Sequence, residues 1–249
     1  MNARRPWRVG SVAAALALTP LLVFAAASDL VAVGDFSHED IGAVTPRDWT
    51  PVNFRQIDRH TRYTLTRDAT AGIVVCAEAE ASASGLARRL DLPAAQHPLL
   101  RWRWKVRNVL AKGDVTQKSG DDYPARVYVM FKYSPERVSI GVRLQYATAR
   151  LLYGEYPPHA SIAYVWDTRA PVETTVPNAF SDRTRMIVVE TGAARLGQWL
   201  SYERDIVADY RRAYGEEPPP IAGIAIMTDA DNTGESAAAC YGDIDLIAR

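Results

Sequence analysis

The sequence predicts a mainly β domain, two sheets packed face to face with one or two short helices. Three observations predict it. Several segments alternate apolar and polar residues with period two, the mark of half-buried strands. Pro, Gly, Asp and Asn cluster between them, as turn chemistry requires. Helical periodicity competes in two stretches alone, and many strands with few helices pack as a sandwich, not as a parallel α/β sheet. The 249 residues carry 29 basic and 29 acidic side chains, with 48% hydrophobic and 9% aromatic residues. That composition excludes collagen-like, low-complexity and wholly disordered chains. Zero net charge argues against a nucleic-acid binder that works through bulk positive charge.

The first element reads as an export signal. Arg4, Arg5 and Arg8 form a basic start, and no charge follows from Gly10 to Ala27. The run ends in Ala25-Ala26-Ala27, small residues of the kind a signal peptidase reads. Thr19 and Pro20 break the apolar stretch, which makes it a poor span, since spanning needs about 20 predominantly apolar residues. Residues 1–27 are therefore expected to be a signal peptide, and residues 28–249 a single β-sandwich domain, periplasmic or secreted, with no membrane span after processing. Without the leader the chain loses three Arg and no acid, which leaves a net charge of −3. Cys76 and Cys240 both lie in the remainder, and with four scattered His they give no zinc spacing.

The strands follow in order. They are expected at Ile73–Glu80, Leu86–Leu92, Tyr164–Asp167, Arg185–Glu190, Ile221–Asp229 and Ala238–Leu246. Two more alternate most clearly. Trp102, Trp104 and Val106 interleave with Arg101, Arg103, Lys105 and Arg107, and Val127, Val129, Phe131 and Tyr133 with Arg126, Tyr128, Met130 and Lys132. Glu136–Leu152 reads as a helix with a competing strand pattern. Ile206–Tyr214 reads as a helix that stops at Gly215, with Pro218-Pro219-Pro220 beyond. The Rossmann fingerprint and the P-loop are absent.

The order of several motifs is specific. They are Leu100-Arg101-Trp102-Arg103-Trp104, Gly120-Asp121-Asp122 with Arg126-Val127-Tyr128-Val129, and Tyr164-Val165-Trp166-Asp167. Gly197-Gln198-Trp199, Asp209-Tyr210-Arg211-Arg212, Met227-Thr228-Asp229-Ala230-Asp231-Asn232-Thr233-Gly234 and Tyr241-Gly242-Asp243-Ile244 follow. Through them the chain resembles an exported bacterial family known as the domain of unknown function numbered 3047. The resemblance covers roughly Gly34 to Ile247 and implies a jelly-roll sandwich of carbohydrate-binding type. It implies no reaction.

Each motif has a chemical reading beside a plainer one. Trp102 and Trp104 suit a sugar-stacking shelf, but burial between the sheets is the simpler expectation. Asp121 and Asp122 suit a cation or acid–base chemistry, but a turn cap and a pair to Arg126 are favoured. Asp229, Asp231 and Asn232 open a calcium-like loop whose bidentate Glu position is Cys240, so an EF-hand is excluded. A structural turn is the default there, with bound calcium the alternative. No metal site, cofactor or catalytic residue is assigned, because neither a nucleophile elbow nor a Ser–His–Asp spacing occurs. The thiols of Cys76 and Cys240 are either buried and free or bridged between an early and a late strand.

The expected function is an exported, non-catalytic binding domain for a saccharide or an anionic cell-envelope polymer. A polysaccharide hydrolase or lyase using loop carboxylates is the alternative, and an envelope protein-interaction module is a third reading. If the strands carrying Arg101, Arg103 and Arg126, Tyr128 pair in one sheet, they form a basic face for a polyanion, gripped through guanidinium forks.

Overall fold

In the computed structural model, two long ribbons wrap the sandwich. Residues 30–43, 45–137, 141 and 159–249 are described. The expected signal peptide, residues 1–27, and most of the Glu136–Leu152 stretch fall outside them; the start of that stretch lies in a 3-10 turn, Pro135–Arg137. Strand β4 (Gly72–Glu80) turns into β5 (Ala83–Leu92), and β12 (Ile221–Asp229) turns into β13 (Ser236–Ile247). The first half of each ribbon lies in a different sheet from its second half. β4 pairs with β13 in one sheet while β5 pairs with β12 in the other. At the β4–β5 corner Ala81 takes a positive φ of 43°, a conformation an L residue holds only under surrounding constraint.

A third segment wraps on the far side. β6 (Leu99–Val106) pairs with β13, and β7 (Arg126–Phe131) pairs with β12. Addition of β1 (Leu30–Gly34), β3 (Arg62–Asp68) and β11 (Leu200–Asp205) completes a six-stranded sheet, ordered β11-β6-β13-β4-β3 with β1 beside β13. Addition of β2 (Trp49–Val52), β8 (Ala160–Asp167), β9 (Thr175–Asn178) and β10 (Ser181–Thr191) completes a seven-stranded sheet, ordered β2-β5-β12-β7-β8-β10-β9. Pairing is antiparallel except between β8 and β10. This repeated switching between two mainly antiparallel sheets is the jelly-roll arrangement.

Alternation decides what lies between the sheets. In β6, Leu100, Trp102, Trp104 and Val106 are all buried. They meet Val127, Val129, Tyr164 and Trp166 of the opposite sheet. Trp102 stacks on Tyr164 across the core at 5.1 Å and on Tyr202 of β11 at 5.2 Å. Large aromatic area is most valuable there, so the tryptophans form core and not a sugar shelf.

Helix α1 (Ile206–Tyr214) matches its expected bounds. Asp205 caps it by accepting from the Val207 and Ala208 amides at 3.1 and 3.0 Å, and Gly215 ends it at φ 72°. Cys76 and Cys240 stand directly opposite each other in the β4–β13 register and are bridged, with Cα atoms 4.0 Å apart. Return of the last strand beside an early one brings the thiols together.

The basic-face expectation fails on topology. β6 and β7 lie in different sheets. Each strand turns its apolar side to the shared core, so Arg101 and Arg103 face out from one side of the sandwich and Arg126 and Tyr128 from the other.

Candidate functional site

Arg126 is the hub of the outer face of the seven-stranded sheet. Its position at the start of β7 places it beside Asp229 at the end of β12, in an antiparallel pair where Arg126 is opposite Met227. Its Nε donates to Asp229 Oδ1 at 3.0 Å, and Nη2 pairs with Asp229 Oδ2. Nη2 also donates to the Asp121 carbonyl at 2.8 Å, and Nη1 to the Tyr128 hydroxyl at 3.1 Å. The Tyr123 ring lies 4.3 Å from the guanidinium carbon. Arg126 is 3% exposed and Asp229 1%. This arginine is structural, against the expectation of a surface grip.

The adjacent acids Asp121 and Asp122 part. Asp121 Oδ2 accepts from Asn178 Nδ2 at 2.8 Å, while its Oδ1 lies 3.7 Å from Arg126 Nη1. Asp122 turns to the 229–234 loop. Its Oδ1 accepts from the Asn232 backbone and side-chain amides at 3.3 and 3.1 Å, and Oδ2 from Thr233 N at 2.6 Å. Gly234 closes that turn at φ 70°, its amide donating to Ala230 at 3.0 Å. The calcium-like segment is thus a turn capped from outside.

Carboxylate oxygens of Asp122, Asp229 and Asp231 lie within 4.8 Å of one another. The donor set does not suit a cation. Asp229 is held by a guanidinium, Asp122 is occupied by three N–H groups, and hard cations need six to eight oxygens. Asp231 differs from both. Partial burial, and next the neighbouring Asp122 charge, push its carboxyl above the usual aspartate value.

Above this network lies an open groove of about 510 Å³. Met227, Tyr128 and Ala83 belong to its floor strands. One wall is the segment after β2, with Phe54, Gln56 and Ile57; the other is the β9–β10 turn, with Asn178 and Phe180. Phe180 is 60% exposed and Phe54 37%. Farther along the same sheet, Val115 and Tyr123 cover Ala163, Val165, Met186 and Val188 as a second apolar cluster.

Seven of the expected site residues gather here: Asp121, Asp122, Arg126, Tyr128, Asp229, Asp231 and Asn232. Arg101 and Arg103 do not. On the opposite sheet Arg101 pairs with Glu203 at 2.7 Å, and Arg103 with Asp243 at 3.6 Å and the Ala71 carbonyl at 2.9 Å. Lys105 pairs with Asp68, and Arg107 with Glu78 at 3.7 Å. Neighbouring strands neutralise the whole row. Phe54, Gln56, Ile57, Asn178 and Phe180 were not legible as site residues, since each is a lone side chain in a connecting segment or at the end of an edge strand.

The model of the family described as "Protein of unknown function (DUF3047)" matches residues 47–245. No curated protein matches the chain. Among solved structures, the chain is similar to a family 11 carbohydrate-binding module of a cellulosomal cellulase of Clostridium thermocellum, at 13% identity and a TM-score of 0.43. That match covers 90% of this chain and 97% of the module. It is also similar to the carbohydrate recognition domain of Emp47p, at 9% identity and a TM-score of 0.41, over 89% and 96% of the two chains. A cleaved adhesin domain of Lys-gingipain from Porphyromonas gingivalis matches at 10% and 0.37, over 88% and 98%. With nearly its whole described length matched by the family model, the chain belongs to the DUF3047 family.

Proposed function

We propose that this chain is an exported, non-catalytic saccharide-binding domain whose ligand lies in the groove on the seven-stranded sheet. The observation that carries this reading is the pairing of two exposed phenyl rings, Phe54 and Phe180, with a polar end formed by Asp231, Asn232 and Asn178. Aromatic faces stack on the apolar faces of sugar rings, and carboxylate and amide groups bond their hydroxyls. The network beneath supplies rigidity, which lowers the ordering cost of binding. Asp121, Asp122 and Asp229 are buried and tied into the fold, which favours binding over two-carboxylate chemistry. Neutralised arginines on the other sheet favour a saccharide over a polyanion there. The basic start and the uncharged apolar run of the leader, together with the Cys76–Cys240 bridge, support export to an oxidising compartment.

A glycan array on the purified protein, followed by calorimetry on the hits, tests the reading. Phe54→Ala and Phe180→Ala should each weaken binding at least ~5-fold, since aromatic contacts of this kind are worth about 1 kcal/mol or more, with the thermal midpoint unmoved. An array without hits overturns the function. Hits that survive both substitutions move the site elsewhere.

A further inference from the structure

We propose that the Cys76–Cys240 bridge is a modification site open on the folded protein, where a low-molecular-weight thiol adds to Cys76. Strand alternation sets the sulfurs outside the core. Val75 and Ala77 on β4, and Ala239 and Tyr241 on β13, are core residues that flank the two cysteines. Successive side chains on a strand point to opposite faces. Cys76 and Cys240 therefore stand on the outer face of the six-stranded sheet, each half-buried. Both line an open groove of about 350 Å³, which gives an attacking thiolate a way in. The bridge also joins strands that are already paired, from Ser236 opposite Glu80 to Tyr241 opposite Val75. Opening of the sulfur link therefore requires no separation of the strands.

Charge around the bridge is uneven. Lys105 of β6 is directly opposite Cys240, whereas the neutral Thr64 of β3 is directly opposite Cys76. Two positions along β4 from Cys76, on the same face, stands Glu78; the matching neighbour of Cys240 on β13 is Ala238. Asp68 pairs with Lys105, and Arg62 and Arg107 pair with Glu78. The groove lining still holds three cations, Arg67, Lys105 and Arg107, against the two carboxylates of Asp68 and Glu78. Cationic surroundings stabilise a thiolate, and the thiol of lower pKa leaves faster. Cys240 is thus the leaving sulfur and Cys76 the one attacked. The incoming thiolate bonds to Cys76 Sγ, the Cys76–Cys240 bond breaks, and its electron pair stays on Cys240 Sγ. The product is a mixed disulfide at Cys76 and a thiolate at Cys240, with no net oxidation or reduction. A second thiolate that attacks the added sulfur frees Cys76 and carries both added sulfurs away as a disulfide.

Glutathione is the probe. Native protein is exposed to it, quenched with acid and alkylated, and adducts and free thiols are mapped by mass spectrometry. The initial rate should rise linearly with glutathione and be unchanged by urea too dilute to unfold the chain. A rate that levels off with glutathione, or climbs in dilute urea, means that the bridge opens only after unfolding and overturns the site. Absence of both adduct and free thiol overturns it as well. Adducts at Cys76 should exceed those at Cys240 at least ~3-fold, because the better-stabilised thiolate leaves. Equal adducts, or an excess at Cys240, overturn the assignment to Cys76. Lys105→Gln should level the two adducts, and Lys105→Arg, which keeps the charge, should preserve the excess. An excess unchanged in Lys105→Gln overturns the part given to the cation.

Discussion

Arg126 and Asp229 form a two-point ion pair between neighbouring strands, 103 positions apart in sequence, with both side chains almost fully buried. A buried pair is costly to assemble, yet removal of one member leaves an uncompensated charge, at about 3–5 kcal/mol. Arg126→Ala should therefore lower stability by about that much in urea denaturation. Arg126→Met with Asp229→Leu should recover part of the loss, because the desolvation cost goes with the pair. A surface arginine would show neither effect.

Reduction should weaken the fold. The Cys76–Cys240 bridge closes a loop with a sequence separation of 164, and chain entropy assigns such a loop about 5 kcal/mol. Cys76→Ala with Cys240→Ala should lower the denaturation midpoint, with the slope rising as the unfolded chain expands. Equal midpoints with and without reductant would contradict the bridge.

Asp231→Asn should stabilise the protein at neutral pH. A carboxyl raised in the folded state opposes folding once ionised; the penalty is absent below the ordinary value of 3.8 and complete above the raised folded value. Thermal melts should show a gain at pH 7 that disappears as pH falls through that window. A gain that persists at low pH would assign the effect to something other than this charge.

Trp102 fills the space between Tyr164 and Tyr202. Trp102→Ala should cost about 3–5 kcal/mol, with Trp102→Phe costing less because one ring remains in the stack. Urea titration of both variants measures the difference.

Much of this architecture is legible in the sequence, and the remainder fails for identifiable reasons. Ile221–Asp229 and Ile206–Tyr214 carry clear signals, an apolar run closed by Asp in one and a terminal Gly with prolines beyond it in the other, and both occupy their expected bounds. Strands β2 and β9 are four residues each, lie at sheet edges and contain Pro51 and Pro177. An edge strand lacks one partner and is free to carry Pro or exposed side chains, so its pattern is weak. Alternation also cannot say which sheet a strand joins, since β6 and β7 each turn an apolar side to the same core. For that reason the meeting of Asp122 with Asn232, 110 positions away, was legible as two turns and not as one site.

The sulfur link between β4 and β13 also determines what a single cut does to the molecule. A protease that opens the backbone once between Cys76 and Cys240 leaves two fragments that remain one covalent body. Their strands are interleaved as well, since β6 and β7 from the middle of the chain pair with β13 and β12 near its end. Clipped and intact protein would migrate together until a thiol is added. Nicking at an exposed turn is thus a change of connectivity that leaves the sheets assembled, and the groove with them.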